Sequence, residues 1–171
     1  MVRKIARWIL LIIGAVACAL LFVVYLIATL TPSTRHLSDE EMLTHYHQNS
    51  AEFNQLAEML LAEDELLVIF PDEGECQLKE GRIRDTAINR RCATLVDLFR
   101  QLGLNRAYAG PEPIRLPMSF AGLAVSGSTK GYLFTSTPPE KLVSDTDEWD
   151  GQSDFLYRAI EGKWYIFHEK T

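Results

Sequence analysis

Four stretches of this 171-residue chain hold side chains whose types and spacing could do chemistry. Cys76 and Cys92 could close a disulfide, share a metal or stand as separate thiols. Zinc sites draw on closely spaced Cys and His pairs, and neither cysteine has a second such ligand near it. His45 and His47 flank Tyr46. Ligands two positions apart share a face on a strand, but on a helix they diverge by about 200°, and this segment reads as helix. Ser126 to Gly131, SGSTKG, sets serines beside Lys130. A Ser-x-x-Lys pair needs serine at position 127, where Gly127 stands, and Thr129 precedes the lysine where a Lys-Thr-Gly motif needs it to follow. A turn between two strands is the plainer reading. Asp145 to Gly151, DTDEWDG, has the look of a calcium loop. Counted from Asp145, however, Trp149, Asp150 and Leu156 fall where an EF-hand needs an oxygen donor, a glycine and a glutamate. Weak calcium binding or a solvated loop are the readings left. No Ser/His/Asp set, zinc pattern or phosphate loop is present, so the sequence calls for no cofactor and no metal, and no motif supports an enzyme.

Which of these groups can react depends on the compartment. Trp8 to Leu30 is a run of 23 residues without charge or proline. As a helix it would span about 34 Å, enough to cross a hydrocarbon core of roughly 30 Å. Arg3, Lys4 and Arg7 precede it, and the acidic cluster Asp39, Glu40, Glu41 follows soon after. Positive charge is retained on the cytoplasmic side. The expected order is therefore a cytoplasmic basic tail over residues 1–7, a single transmembrane helix over 8–30, a tether over 31–37 and an extracytoplasmic domain over 38–171. Cleavage at the A-x-A-like site ending in Ala17 would leave Cys18 and twelve further uncharged and mostly apolar residues at the new terminus; a retained anchor fits better. Three of the 17 basic residues and none of the 23 acidic ones lie in the first thirty positions, leaving 14 against 23, a net charge of −9. Such a domain is repelled by nucleic acid and by anionic headgroups. In an oxidising compartment a Cys76–Cys92 disulfide is expected, with two separate buried thiols as the alternative. A loop of that length is worth about 3 kcal/mol by chain entropy.

The domain must then position what chemistry remains. Ser38-Asp39-Glu40-Glu41 is a capping box, and Met42, Leu43, Tyr46, Phe53, Leu56, Leu60 and Leu61 follow at helical spacing, predicting one amphipathic helix over 38–63. LLVIF (Leu66 to Phe70) reads as a buried strand ended by Pro71. A second helix is expected over 89–102, stopped by Gly103 with Leu104 as the contact beyond the cap. Short aromatic and β-branched runs then read as an antiparallel meander. The fold class is α+β: two helices and a sheet of about five strands after the membrane helix.

The terminal hairpin, FLYRAIEGKWYIFHEK, offers a binding surface. With Glu161-Gly162 as a two-residue turn, Ile160 pairs with Lys163 and Arg158 with Tyr165. One face then carries Phe155, Tyr157, Ala159, Trp164 and Ile166. The other carries Leu156, Arg158, Tyr165 and Phe167, with Arg158 stacked on Tyr165. That second face is either a partner-binding surface or is covered by the long first helix.

The runs KGYLFTSTPPEKLV and LYRAIEGKWYIFHEK resemble a group of short uncharacterised bacterial envelope proteins with an N-terminal membrane segment or lipid anchor. The resemblance implies a Gram-negative envelope location and brings no activity. The expectation is a single-pass inner-membrane protein whose periplasmic domain acts as an interaction or accessory module for a protein partner. Alternatives are an immunity-type inhibitor of a secreted toxin, since an acidic domain suits a basic partner, and an envelope hydrolase whose site is assembled from distant residues.

Overall fold

The capping box at Ser38 starts a helix as the sequence requires: the Glu41 amide donates to Ser38 Oγ at 3.3 Å and the Ser38 amide to Glu41 Oε2 at 2.7 Å. In this computed structural model, residues 36–79, 85–123, 126–148 and 154–170 are described. The expected basic tail and membrane span lie outside them. Among the described residues no helix is long and apolar enough to cross a membrane.

The fold is α+β, with three helices and two antiparallel sheets among the described residues. The first correction is to the long helix. It is two helices, α1 (Asp39–Gln48) and α2 (Ser50–Ala62), broken at Asn49. The Asn49 side chain donates to the His45 carbonyl at 2.8 Å, and its own amide turns to Tyr46 O at 3.0 Å. A side chain that takes the carbonyl its own amide would use competes with the helix. Apolar spacing continues across the break, so the pattern alone reads as one helix.

β1 (Leu66–Phe70) pairs with β2 (Glu75–Leu78) through a turn in which Gly74 holds φ of 71°. Cys76 thus lies in a strand, where the sequence pattern predicts none after Pro71. α3 (Thr86–Gln101) begins three residues before the expected start, because Asp85 caps it by accepting from the Ile88 amide at 2.8 Å. It ends as expected: Gly103 is left-handed at φ 61°, and the Leu104 amide returns to Phe99 O at 2.9 Å.

β3 (Ala107–Tyr108) completes a three-stranded sheet of order β2-β1-β3. β4 (Ile114–Leu123), β5 (Ser126–Phe134), β6 (Phe155–Ala159) and β7 (Trp164–Lys170) form a second sheet of order β4-β5-β7-β6. The expected single meander is therefore two sheets. Residues 126–131 are strand, not turn. One face of the second sheet joins the helices and the first sheet in a common core that includes Tyr46, Phe53, Leu60, Ile69, Phe99, Tyr132, Trp164 and Ile166. The Trp164 indole N–H donates to Asn54 Oδ1 at 2.9 Å, which satisfies its polar edge beside that core.

Candidate functional site

The two faces of the four-stranded sheet each carry cationic side chains, and they treat them differently. On the inner face Lys130 alternates with Tyr132 and Phe134 along β5 and has no exposed surface. Its Nζ lies 2.7 Å from Asp39 Oδ1 and 2.5 Å from Asp147 Oδ1. Asp39, in the first turn of α1, is also fully buried. It accepts from the Thr146 amide at 2.8 Å and the Thr146 hydroxyl at 2.5 Å, and meets Arg158 Nη1 at 3.4 Å. Its own amide donates to Asp147 Oδ2 at 2.9 Å. Burial raises the Asp39 carboxyl, but hydrogen bonds from Lys130 and Thr146 and the Lys130 charge outweigh it and leave it below its ordinary value.

His36 lies beside this network. Its two ring nitrogens are each 2.7 Å from a serine hydroxyl, Nδ1 from Ser119 Oγ and Nε2 from Ser128 Oγ. Its ring meets that of His168 edge-on at 4.9 Å. Burial, then the nearby His168 and Lys130 charges, lower the imidazole to about 4, with Asp147 opposing. It is neutral at pH 7, so a serine and a basic nitrogen are in contact, as in an activated nucleophile. An imidazole held that low is a weak proton acceptor, however, and the Lys130 ammonium is engaged by two carboxylates. The arrangement is suited to holding the start of the domain and α1 against the sheet. Asp39, Asp145 and Asp147 converge closely enough to grip a cation, but the ammonium of Lys130 already stands between two of them. The sequence that suggested a calcium loop thus neutralises a lysine.

The outer face is built on Gly131. A Cβ there would lie 2.9 Å from the Phe167 ring and against the Leu116 carbonyl, so only glycine lets that ring lie across β5. Leu133, Tyr165 and Phe167 form a small second cluster with Tyr157 packed on it. The Arg115 guanidinium covers it, 4.6 Å from the centre of the Phe167 ring and 5.4 Å from that of Phe155. Nη2 of Arg115 meets Glu169 Oε2 at 2.9 Å. A groove of about 230 Å³ runs past it, lined by Arg106, Tyr108, Pro117, Phe120 and Thr129 as well as Phe167 and Glu169. Tyr108 is 63% and Phe120 49% exposed. Beyond Arg115 a second groove of about 550 Å³ continues between Phe155 and Tyr157 and the Thr135–Glu140 loop.

The hairpin residues singled out from the sequence are divided between these faces. The connection is Glu161-Gly162-Lys163, with Gly162 at φ 57° and the Ile160 amide bonded to Trp164 O at 3.0 Å. Arg158 therefore pairs with Ile166 and Leu156 with His168, one residue out of the expected register. A slip of one reverses a strand. Trp164 and Ile166 face inward as expected, but Leu156 and Arg158 join them, while Phe155, Tyr157 and Ala159 turn outward with Tyr165 and Phe167. Leu156, Arg158, Tyr165 and Phe167 do not share a face. Arg158 has no stacking on Tyr165; it reaches α1, with Nη2 at 2.9 Å from Glu40 Oε1. The cation–π pairing falls to Arg115.

Cys76 and Cys92 stand at disulfide distance, joining β2 to α3. His47 is exposed, but His45 is half-buried, its Nδ1 at 2.9 Å from the Tyr132 hydroxyl, which donates to Met42 O at 2.9 Å. It is packing, not a solvated residue. Sequence reasoning weighed Lys130 only as a catalytic partner of the serines, and it passed over Arg115 and His36. Lys130 had a signal, a cation at the same parity as Tyr132 and Phe134; Arg115 had one too, between Ile114 and Leu116. His36, read as tether, had none. Comparison with family models, curated proteins and solved structures returns no match for this chain.

Proposed function

We propose that this protein is a single-pass inner-membrane protein that holds an interaction domain in the periplasm, with the outer face of the four-stranded sheet as its binding surface. The observation that carries the reading is the Arg115 groove: the Tyr108 and Phe120 rings and two guanidinium groups left accessible beside the sheet face turned away from the common core. Aromatic residues and arginine are the residue types enriched at binding hot spots. The uncharged run over 8–30, the basic residues before it and the paired cysteines support the location. The hydrolase alternative gains little. Asp39, the buried carboxylate held below its ordinary value on the inner face, is closed off by Lys130, Thr146 and Arg158.

The test is site-specific photo-cross-linking in intact cells. A benzophenone side chain placed at Tyr108 or Phe120 is expected to give a discrete adduct, and one at exposed Glu58 on α2 none. Equal labelling from Glu58, or none from the groove, would refute the surface. A periplasm-dependent phosphatase fused after Thr171 is expected to be active; an inactive one would reverse the topology.

A further inference from the structure

The groove has a chemistry of its own that narrows what it binds. Two guanidinium groups line it, and one carboxylate, Glu169, stands against them. Arg106 is exposed, lies over the Phe120 ring at 5.8 Å and meets no carboxylate among the described residues. Arg115 gives Glu169 one nitrogen of its fork, and a guanidinium carries five N–H donors. A surplus of positive charge thus sits on a domain whose net charge is −9 outside the first thirty residues. The remaining polar groups of this groove are few: the Thr129 hydroxyl, the Tyr108 phenol and Glu169 itself. Sugar hydroxyls need a denser set of donors and acceptors than that. An aliphatic or aromatic side chain beside a carboxylate needs only the rings and the forks. The two grooves both reach Arg115, so together they suit an elongated ligand.

We propose that the outer sheet face binds an extended peptide segment of a partner protein, in which an acidic residue is held by Arg106 and Arg115 and a neighbouring apolar side chain lies against the exposed rings of Phe120 and Tyr108. This rests on the binding-surface reading above and adds the chemistry of the partner. Stacking on Phe155 and Phe167 fixes the plane of the Arg115 guanidinium before the ligand arrives, so little side-chain freedom is lost on binding. Arg106 is held less firmly and supplies the charge that discriminates an acid from its amide.

The experiment uses the full-length protein in detergent micelles and short fluorescent peptides with one glutamate between leucine and phenylalanine, read by anisotropy. The glutamine twin of the peptide is expected to bind about tenfold more weakly, as befits loss of a charge-assisted hydrogen bond. Arg106→Gln is expected to abolish that difference, Arg106→Lys to keep part of it, and Arg90→Gln, at an exposed position of α3 that lines neither groove, to leave it unchanged. Added salt weakens the glutamate peptide more than its twin. Equal binding of the twins, a preference that survives Arg106→Gln, or no binding of either peptide overturns the proposal. Arg106-dependent binding of an oligogalacturonate in place of the peptides overturns it in favour of an acidic glycan. Groove cross-links that persist in cells while the peptides stay silent remove the peptide chemistry alone; loss of both removes the surface as well.

Discussion

The inner and outer faces of one sheet put basic side chains to opposite uses. Lys130 points inward, loses all contact with water and gains two carboxylates. Arg115 points outward, lies on two rings and gives a single contact to Glu169. An ammonium is a compact point charge that must be surrounded when it is buried, whereas a planar guanidinium can rest on an aromatic face with donors to spare. The inner cation is thus internally satisfied and holds the fold, while the outer one retains capacity for a ligand. For the same reason the most conspicuous polar cluster is poorly suited to hold a ligand. Its donors and acceptors are turned on one another.

Breaking the inner face should have the largest effect. Lys130→Ala leaves Asp39 buried beside Asp147 without the ammonium between them, and removing one partner of a buried pair costs about 3–5 kcal/mol. Urea unfolding of the α+β domain in the full-length protein measures it. A loss below about 1 kcal/mol would mean that water or Arg158 replaces the lysine, and the division between faces would weaken.

A smaller effect distinguishes His36 from the pair beneath it. The folded imidazole titrates at about 4 against an ordinary value of 6.5. Between those values the unfolded chain binds the extra proton, so His36 favours the folded state fully above pH 6.5, and that contribution is lost as pH falls toward 4. The slope is less than about 1.4 kcal/mol per pH unit, because solvent screens a half-exposed ring. His36→Gln keeps a donor and an acceptor for Ser119 and Ser128 and should flatten this part of the profile, leaving the decline below pH 4 that Asp39 produces. Thermal melts from pH 7 to pH 4 compare the two; parallel profiles would show that His36 does not titrate in this window.

Least costly to the fold should be Arg115→Gln. An exposed cation–π contact and a part-exposed ion pair together give about 1 kcal/mol or less. The same change should nonetheless weaken the glutamate peptide markedly. A destabilisation near that of Lys130→Ala would make Arg115 a structural residue and sink the contrast.

Local signals were legible because they act within a few residues. The Ser38 capping box, the Gly103 stop and the strand LLVIF are set by hydrogen bonds and dihedral preferences that a short window contains. The pairing of Cys76 with Cys92 was expected from their even count and the compartment assigned to them, and they do stand at disulfide distance. Errors arose where one local choice governed distant geometry. Asn49 breaks a helix whose apolar spacing runs straight through it. Lys163 joins the turn and carries β6 one residue along, which moves Arg158 from the outer face to α1.

By itself, then, the sequence determined the fold class, the caps, the acidic balance and the apolar run before Leu30, since each follows from composition or from contacts close along the chain. Tertiary structure alone decided which cations are enclosed and which are presented. His36 meets Ser119, and Asp39 meets Lys130 and Asp147, across separations of 83 to 108 positions. Arg115 reaches Glu169 over 54. Whether a charge is buried depends on what every other segment places around it, and no local window of the chain contains that information.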